Sequence, residues 1–272
     1  MSFYPLFNLN EDKGFISIPN FAVNNWEKTH NGIKSIYSFR ISKNSTWDVH
    51  NFGPIAENDF FNITADELDE KLNVEMIDDI IIGDLILFQL RNEKLESCLI
   101  ELPNPDFEST KWPEWRATIG FSSKNSKVSY QGEINPTSSK ASLLTFHPFI
   151  QFVDAKNYFV FVNIEKSPIE RWSEIEIFDS RTGKKIDTKK VRNNSVNIIP
   201  LDKYDFTPLD LPVFYCKNMA GIPFGFGKAI TTDMMSLEHT HPPASLTLHG
   251  NRMVAQKNIK VAWVNYLDIK NN

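Results

Sequence analysis

The sequence predicts a mainly β protein, and three observations carry that expectation. Short runs of alternating apolar and polar residues recur along most of the chain, turn signals separate them, and the aromatic load is heavy, with 21 Phe and 6 Trp in 272 residues. Aromatic and β-branched residues suit pleated, half-buried surfaces, and alternation with period two is the pattern of a strand with one face in the core. At 41% hydrophobic content the chain can bury a real core. Its length fits one large β domain or two smaller ones. We read a mixed, mostly β N-terminal domain over 1–140, with hairpins and one short helix, and a β-sandwich domain over 141–272.

Residues 15–21 and 35–42 read as strands, with Tyr37, Phe39 and Ile41 on one face of the second and Ser38 and Arg40 on the other. The stretch Asn44 to Asn62 reads as mixed and loop-like. Thr64, with Glu67 three residues on, is a capping box and predicts a short helix over 65–73 that buries Leu68 and Leu72. Residues 79–90 read as one continuous apolar strand, and Leu95–Leu102 as a strand pairing back onto it as a hairpin. In the next hairpin Ala117, Ile119 and Phe121 alternate with Arg116 and Thr118. Val128, Tyr130 and Ile134 then point one way, and Ser129, Gln131 and Glu133 the other.

After a Pro/Ser/Lys linker at 136–141, strands are expected at 143–152, 158–164, 174–178, 185–191, 196–199 and 213–216. This pattern is similar to immunoglobulin-like or fibronectin-like sandwiches, which implies an immunoglobulin-like β-sandwich for the C-terminal half. Met219–Lys228 reads as irregular and Gly-rich. Its Gly-x-x-x-x-Gly-Lys-like spacing is no phosphate loop, since Ile222 and Ala229 stand where Gly and Ser/Thr are required. Ile259, Ala262, Trp263, Tyr266 and Leu267 fall at helical spacing and predict a terminal helix over 254–267 that closes the sandwich with its Trp on the sheet. No internal repeat is legible.

The net charge of −5 argues against a general nucleic-acid or anionic-membrane binder. Cys98 and Cys216 are too few and too far apart to form a disulfide framework or a Cys-rich zinc site. The first ten residues lack a basic region and a long apolar run, so a cytoplasmic, soluble protein with no secretory signal is expected.

Two stretches could carry chemistry. Around Pro242-Pro243, a hairpin turn would place His239, His241 and His249 on one strand face, where imidazoles can converge on one divalent transition-metal ion. The plainer reading is a polar strand with solvated histidines. In the 112–134 hairpin, Trp112, Trp115, Arg116, Tyr130, Gln131 and Glu133 combine flat rings with planar polar groups. A sugar asks for that mixture, with rings against its C–H face and forked groups for its hydroxyls. Buried core aromatics would explain the same rings. The expected function is a soluble ligand-binding β protein, with carbohydrate as the ligand class. One alternative is a metal-dependent enzyme using the three histidines, in which metal-bound water would be acidified. The other is a structural or assembly protein.

Overall fold

The computed structural model describes residues 2–21, 32–72, 82–104, 116–147, 154–204, 206, 212–239 and 252–267. The fold is mainly β, built from antiparallel sheets with two helices among the described residues. It divides into two compact units. The first is Met1–Pro136 with Ile164–Glu170 and Asn194–Val196, and the second is Thr137–Asn163 with Arg171–Asn193 and Asn197–Asn272.

The first unit contains β1 (Tyr4–Leu6), β2 (Lys13–Asn20), β3 (Lys34–Ile41), β4 (Trp47–Ile55), β5 (Asp59–Thr64), α1 (Ala65–Leu72), β6 (Ile82–Gly83), β7 (Ile86–Arg91), β8 (Cys98–Leu99), β9 (Ala117–Ser122) and β10 (Lys127–Gly132). One sheet has the order β1-β7-β3-β4-β8 and the other β10-β9-β2-β5. Alternation puts Tyr4, Leu6, Ile36, Phe88 and Leu90 from one sheet against Ile16, Ile18, Ile63, Ala117 and Ile119 from the other, in one core. Leu68 of α1 is buried in that core and Leu72 packs against it, as the helical spacing predicts.

The helix starts where the capping box places it. Thr64 Oγ1 accepts the Glu67 N–H at 3.3 Å, and the Glu67 carboxylate accepts the Thr64 N–H at 2.8 Å. The Thr64 N–H and the Thr64 hydroxyl, which donates to the same carboxylate at 3.1 Å, hold the Glu67 carboxyl below its usual range. Thr64→Ala should cost about 1 kcal/mol. A urea midpoint equal to wild type would show that the box does not hold the helix.

Three expectations are corrected in this unit. The stretch read as loop-like forms β4 and β5. Its alternation is broken by Gly53, which has φ +98° and so needs a glycine, and by Pro54. The apolar run at 79–90 is not continuous: β6 ends at Gly83 and β7 begins at Ile86, and between them Asp84 turns to pair with Arg40 at 2.8 Å. Finally, β8 pairs with β4, through Trp47 opposite Leu99, and not with β7.

The second unit contains β11 (Leu143–Phe146), β12 (Ala155–Asn163), β13 (Trp172–Asp179), β14 (Lys185–Arg192), β15 (Ser195–Pro200), β16 (Pro212–Cys216), β17 (Ile222–Ala229), β18 (Met235–His239) and α2 (Arg252–Tyr266). One sheet runs β11-β16-β13-β14, and in the other β12 lies between β17 and β15, with β18 beyond β17. Phe159, Phe161, Ile199, Ile175, Ile177, Val191 and Phe214 from the two sheets share one core. The segment read as irregular is β17. Its Gly225 pairs with Phe159 and its Pro223 with Phe161, so small residues sit opposite large ones and Phe224 and Phe226 take the other face.

The terminal helix docks as expected. Trp263 packs with Phe146 at 4.7 Å between ring centroids, beside Leu144, Val213 and Tyr215. The Tyr266 hydroxyl donates to the Arg181 carbonyl at 2.6 Å. Gly183 sits under the helix end at φ +69°, where a Cβ would lie 2.7 Å from the Tyr266 carbonyl oxygen.

The two units share one connectivity. Leaving aside the two-residue strands β6 and β8, each unit has its first strand beside its sixth, its sixth beside its third and its third beside its fourth. The other sheet of each unit runs eighth, seventh, second, fifth. In an immunoglobulin constant domain the first two strands lie in the same sheet. Here β11 and β12 lie in different sheets, as do β1 and β2.

Candidate functional site

The outer face of the sheet β10-β9-β2-β5 follows directly from its register. Gln131 lies opposite Thr118, Thr118 opposite Ser17, and Ser17 opposite Asn62. These four polar side chains form an unbroken row across four strands, three inter-strand steps long, or about 14 Å. Gln131 and Asn62 are exposed, and Ser17 and Thr118 half-buried. Directly opposed side chains on a sheet lie within mutual reach, so the row offers amide and hydroxyl groups at regular spacing.

Aromatic rings flank the row. Phe60, two residues before Asn62 and on the same face of β5, is 49% exposed, and its ring meets Phe21 edge-on at 4.9 Å. On the other side Phe15 lies across Gly120, its cross-strand partner. A Cβ at Gly120 would fall 2.4 Å from the ring, so glycine there lets the ring lie on the sheet. The Lys127 ammonium sits 4.0 Å from the Phe15 centroid, a cation–π contact.

Of the six residues expected to form a sugar platform, four are described. Gln131 is in the row, and Arg116 is exposed just before β9. Glu133 follows β10 and is half-buried. Tyr130 points the other way. Its ring packs against the core and over Gly132, where a Cβ would lie 2.1 Å from it. Burial pushes the Tyr130 hydroxyl well above its ordinary pKa, with Arg116 opposing and Glu133 reinforcing that shift. Trp112 and Trp115 lie outside the described residues. Sequence reading missed Ser17, Thr118, Phe60 and Asn62 as site residues. The signal for the last two was the alternation Phe60, Asn62, Thr64 against Phe61, Ile63, obscured by the polar neighbourhood of 44–62.

The histidine hairpin is largely outside the described residues as well. β18 runs to His239, in register with Phe224, and His241 and His249 lie beyond it. Among the described residues no three His, Cys, Asp or Glu side chains are placed to share a metal ion. No described helix is long and apolar enough to cross a membrane.

The equivalent sheet of the second unit has a different surface. Its outer side carries Val160, Phe224, Phe226 and Leu237, all buried, where the first unit carries the polar row. The same connectivity therefore carries a partly exposed polar row in one unit and a buried apolar face in the other. Compared with known proteins, the chain matches no family model, no curated protein and no solved structure.

Proposed function

We propose that the protein binds carbohydrate on the outer face of the sheet β10-β9-β2-β5. The observation that carries this reading is the row Gln131, Thr118, Ser17 and Asn62, with the open ring of Phe60 beside it. Two amides and two hydroxyls offer both donors and acceptors, which suits the paired donor and acceptor character of sugar hydroxyls. The exposed ring supplies an apolar surface for the C–H face of a pyranose. Arg116 and Glu133 extend the polar surface at the strand ends. The reading is of a binding protein. An immunoglobulin-like description of the C-terminal half adds nothing to it, because architecture does not assign function.

The alternatives keep narrower support. A divalent transition-metal ion held by His239, His241 and His249 rests on sequence spacing, and a structural or assembly role rests on the aromatic content.

A glycan array on the intact protein tests the proposal. Binding should appear, and Phe60→Ala and Asn62→Ala should each weaken it at least tenfold, about 1.4 kcal/mol. Exposed side chains contribute little to stability, so both variants should melt within about 0.5 kcal/mol of wild type. An array without hits, or hits that survive both substitutions, would rule this face out.

A further inference from the structure

We propose a second pyranose-binding surface on the outer face of the β13–β14 pair, with Trp172 as its stacking platform. Trp172 opens β13 and is 48% exposed. Ile175 and Ile177 of the same strand are buried in the core, so alternation puts Trp172, Glu174 and Glu176 on the opposite, outer face. Across the strand pair Trp172 faces Arg192, Glu174 faces Lys190, and Glu176 faces Thr188. The indole thus has a guanidinium directly opposite it and a carboxylate two residues along.

The other end of this sheet face is already occupied. Leu144, Val213, Tyr215 and Phe178 are covered there by Trp263, Val264 and Leu267 of the terminal segment. The Trp172 end lies beyond that cover, as its exposure shows.

The chemistry of the surface selects among occupants. A protein partner needs a broad patch with an apolar centre, of roughly 800 Å² per side. This face offers one large ring among charges of both signs, including the pair Lys185–Glu176 at 3.0 Å. A pyranose needs less: one flat ring under its C–H face, with a planar donor and a planar acceptor at its rim. Trp172, Arg192 and Glu174 supply those three groups. The site shares no strand with the polar row and belongs to the other unit.

The experiment uses the full chain labelled with 5-fluorotryptophan, with the Trp172 resonance assigned by its loss in Trp172→Phe. Cellohexaose, chitohexaose, xylohexaose and mannohexaose are titrated separately and followed by fluorine NMR. At least one should shift the Trp172 line with saturation, and the shift should persist in Phe60→Ala. Glu174→Gln should weaken that binding at least fivefold while the spectrum of the free protein keeps its dispersion. A Trp172 line unmoved by all four sugars would overturn the proposal. So would a shift abolished by Phe60→Ala, because the response would then belong to the first face.

Discussion

Replacing Trp47 by alanine should destabilise the protein by about 3–5 kcal/mol, the usual range for emptying a buried Trp site. Trp47 opens β4 and is only 1% exposed, opposite Ile41 on one side and Leu99 on the other. Its indole N–H donates to the Lys166 carbonyl at 2.9 Å. That carbonyl also accepts the Leu102 N–H at 2.9 Å, so it keeps a partner when the indole is removed. The cost should therefore come from lost packing more than from a stranded acceptor. Trp47→Phe separates the two contributions. It retains most of the apolar volume and loses one hydrogen bond, and should cost about 1–2 kcal/mol. Chemical denaturation of both variants, with unchanged m-values, is the measurement. A loss under about 1 kcal/mol for the alanine variant would show that the ring does not anchor the edge formed by β4 and β8.

Trp47 also marks where sequence reading stops. The strands β9, β10 and β13 were legible because each has one face in a core, and β3 was legible from its alternating sequence although Tyr37, Ser38 and Phe39 are all buried. β4 was not, because Gly53 and Pro54 interrupt its period and a register shift lies between Ile36 and Tyr37 of its partner. β17 was hidden for another reason. It alternates Phe with Gly, and that pattern reads as a loop until Phe159 and Phe161 are seen opposite Gly225 and Pro223. Pairings between distant strands, such as β1 with β7 and β11 with β16, leave no local mark. The connectivity common to both units therefore had no counterpart in a search for sequence repeats. The candidate site shows the same limit. Arg116, Gln131 and Glu133 were found as the polar side of one hairpin, but the row they border needs β2 and β5 in register, which only the fold supplies.

Acid should weaken the second unit before it protonates the carboxylates, and His147 is the reason. The residue follows β11, donates its backbone N–H to the Pro212 carbonyl at 3.0 Å and is fully buried. Its ring lies edge-on to Phe159 and Phe214, each at 5.8 Å, and those two rings stack on one another at 3.7 Å. Burial in that apolar cage penalises the imidazolium and lowers the pKa to about 3, from 6.5. The unfolded chain therefore binds a proton between those values and the folded chain does not. Stability is complete above about pH 6.5 and falls as pH drops, by about 1.4 kcal/mol per unit. By pH 4 the loss should reach about 3 kcal/mol. The Asp154, Asp179 and Asp187 carboxyls, all held below their ordinary range by hydrogen bonds or ion pairs, lose their contribution only as pH falls below about 4. Among the described groups whose ionisation folding shifts, His147 is the one that titrates between pH 4.5 and 6.5. Urea unfolding across that window should show the slope in wild type and lose it in His147→Phe, whatever that variant does to stability at neutral pH. A slope that persists in His147→Phe would place the acid sensitivity elsewhere and remove His147 as its source.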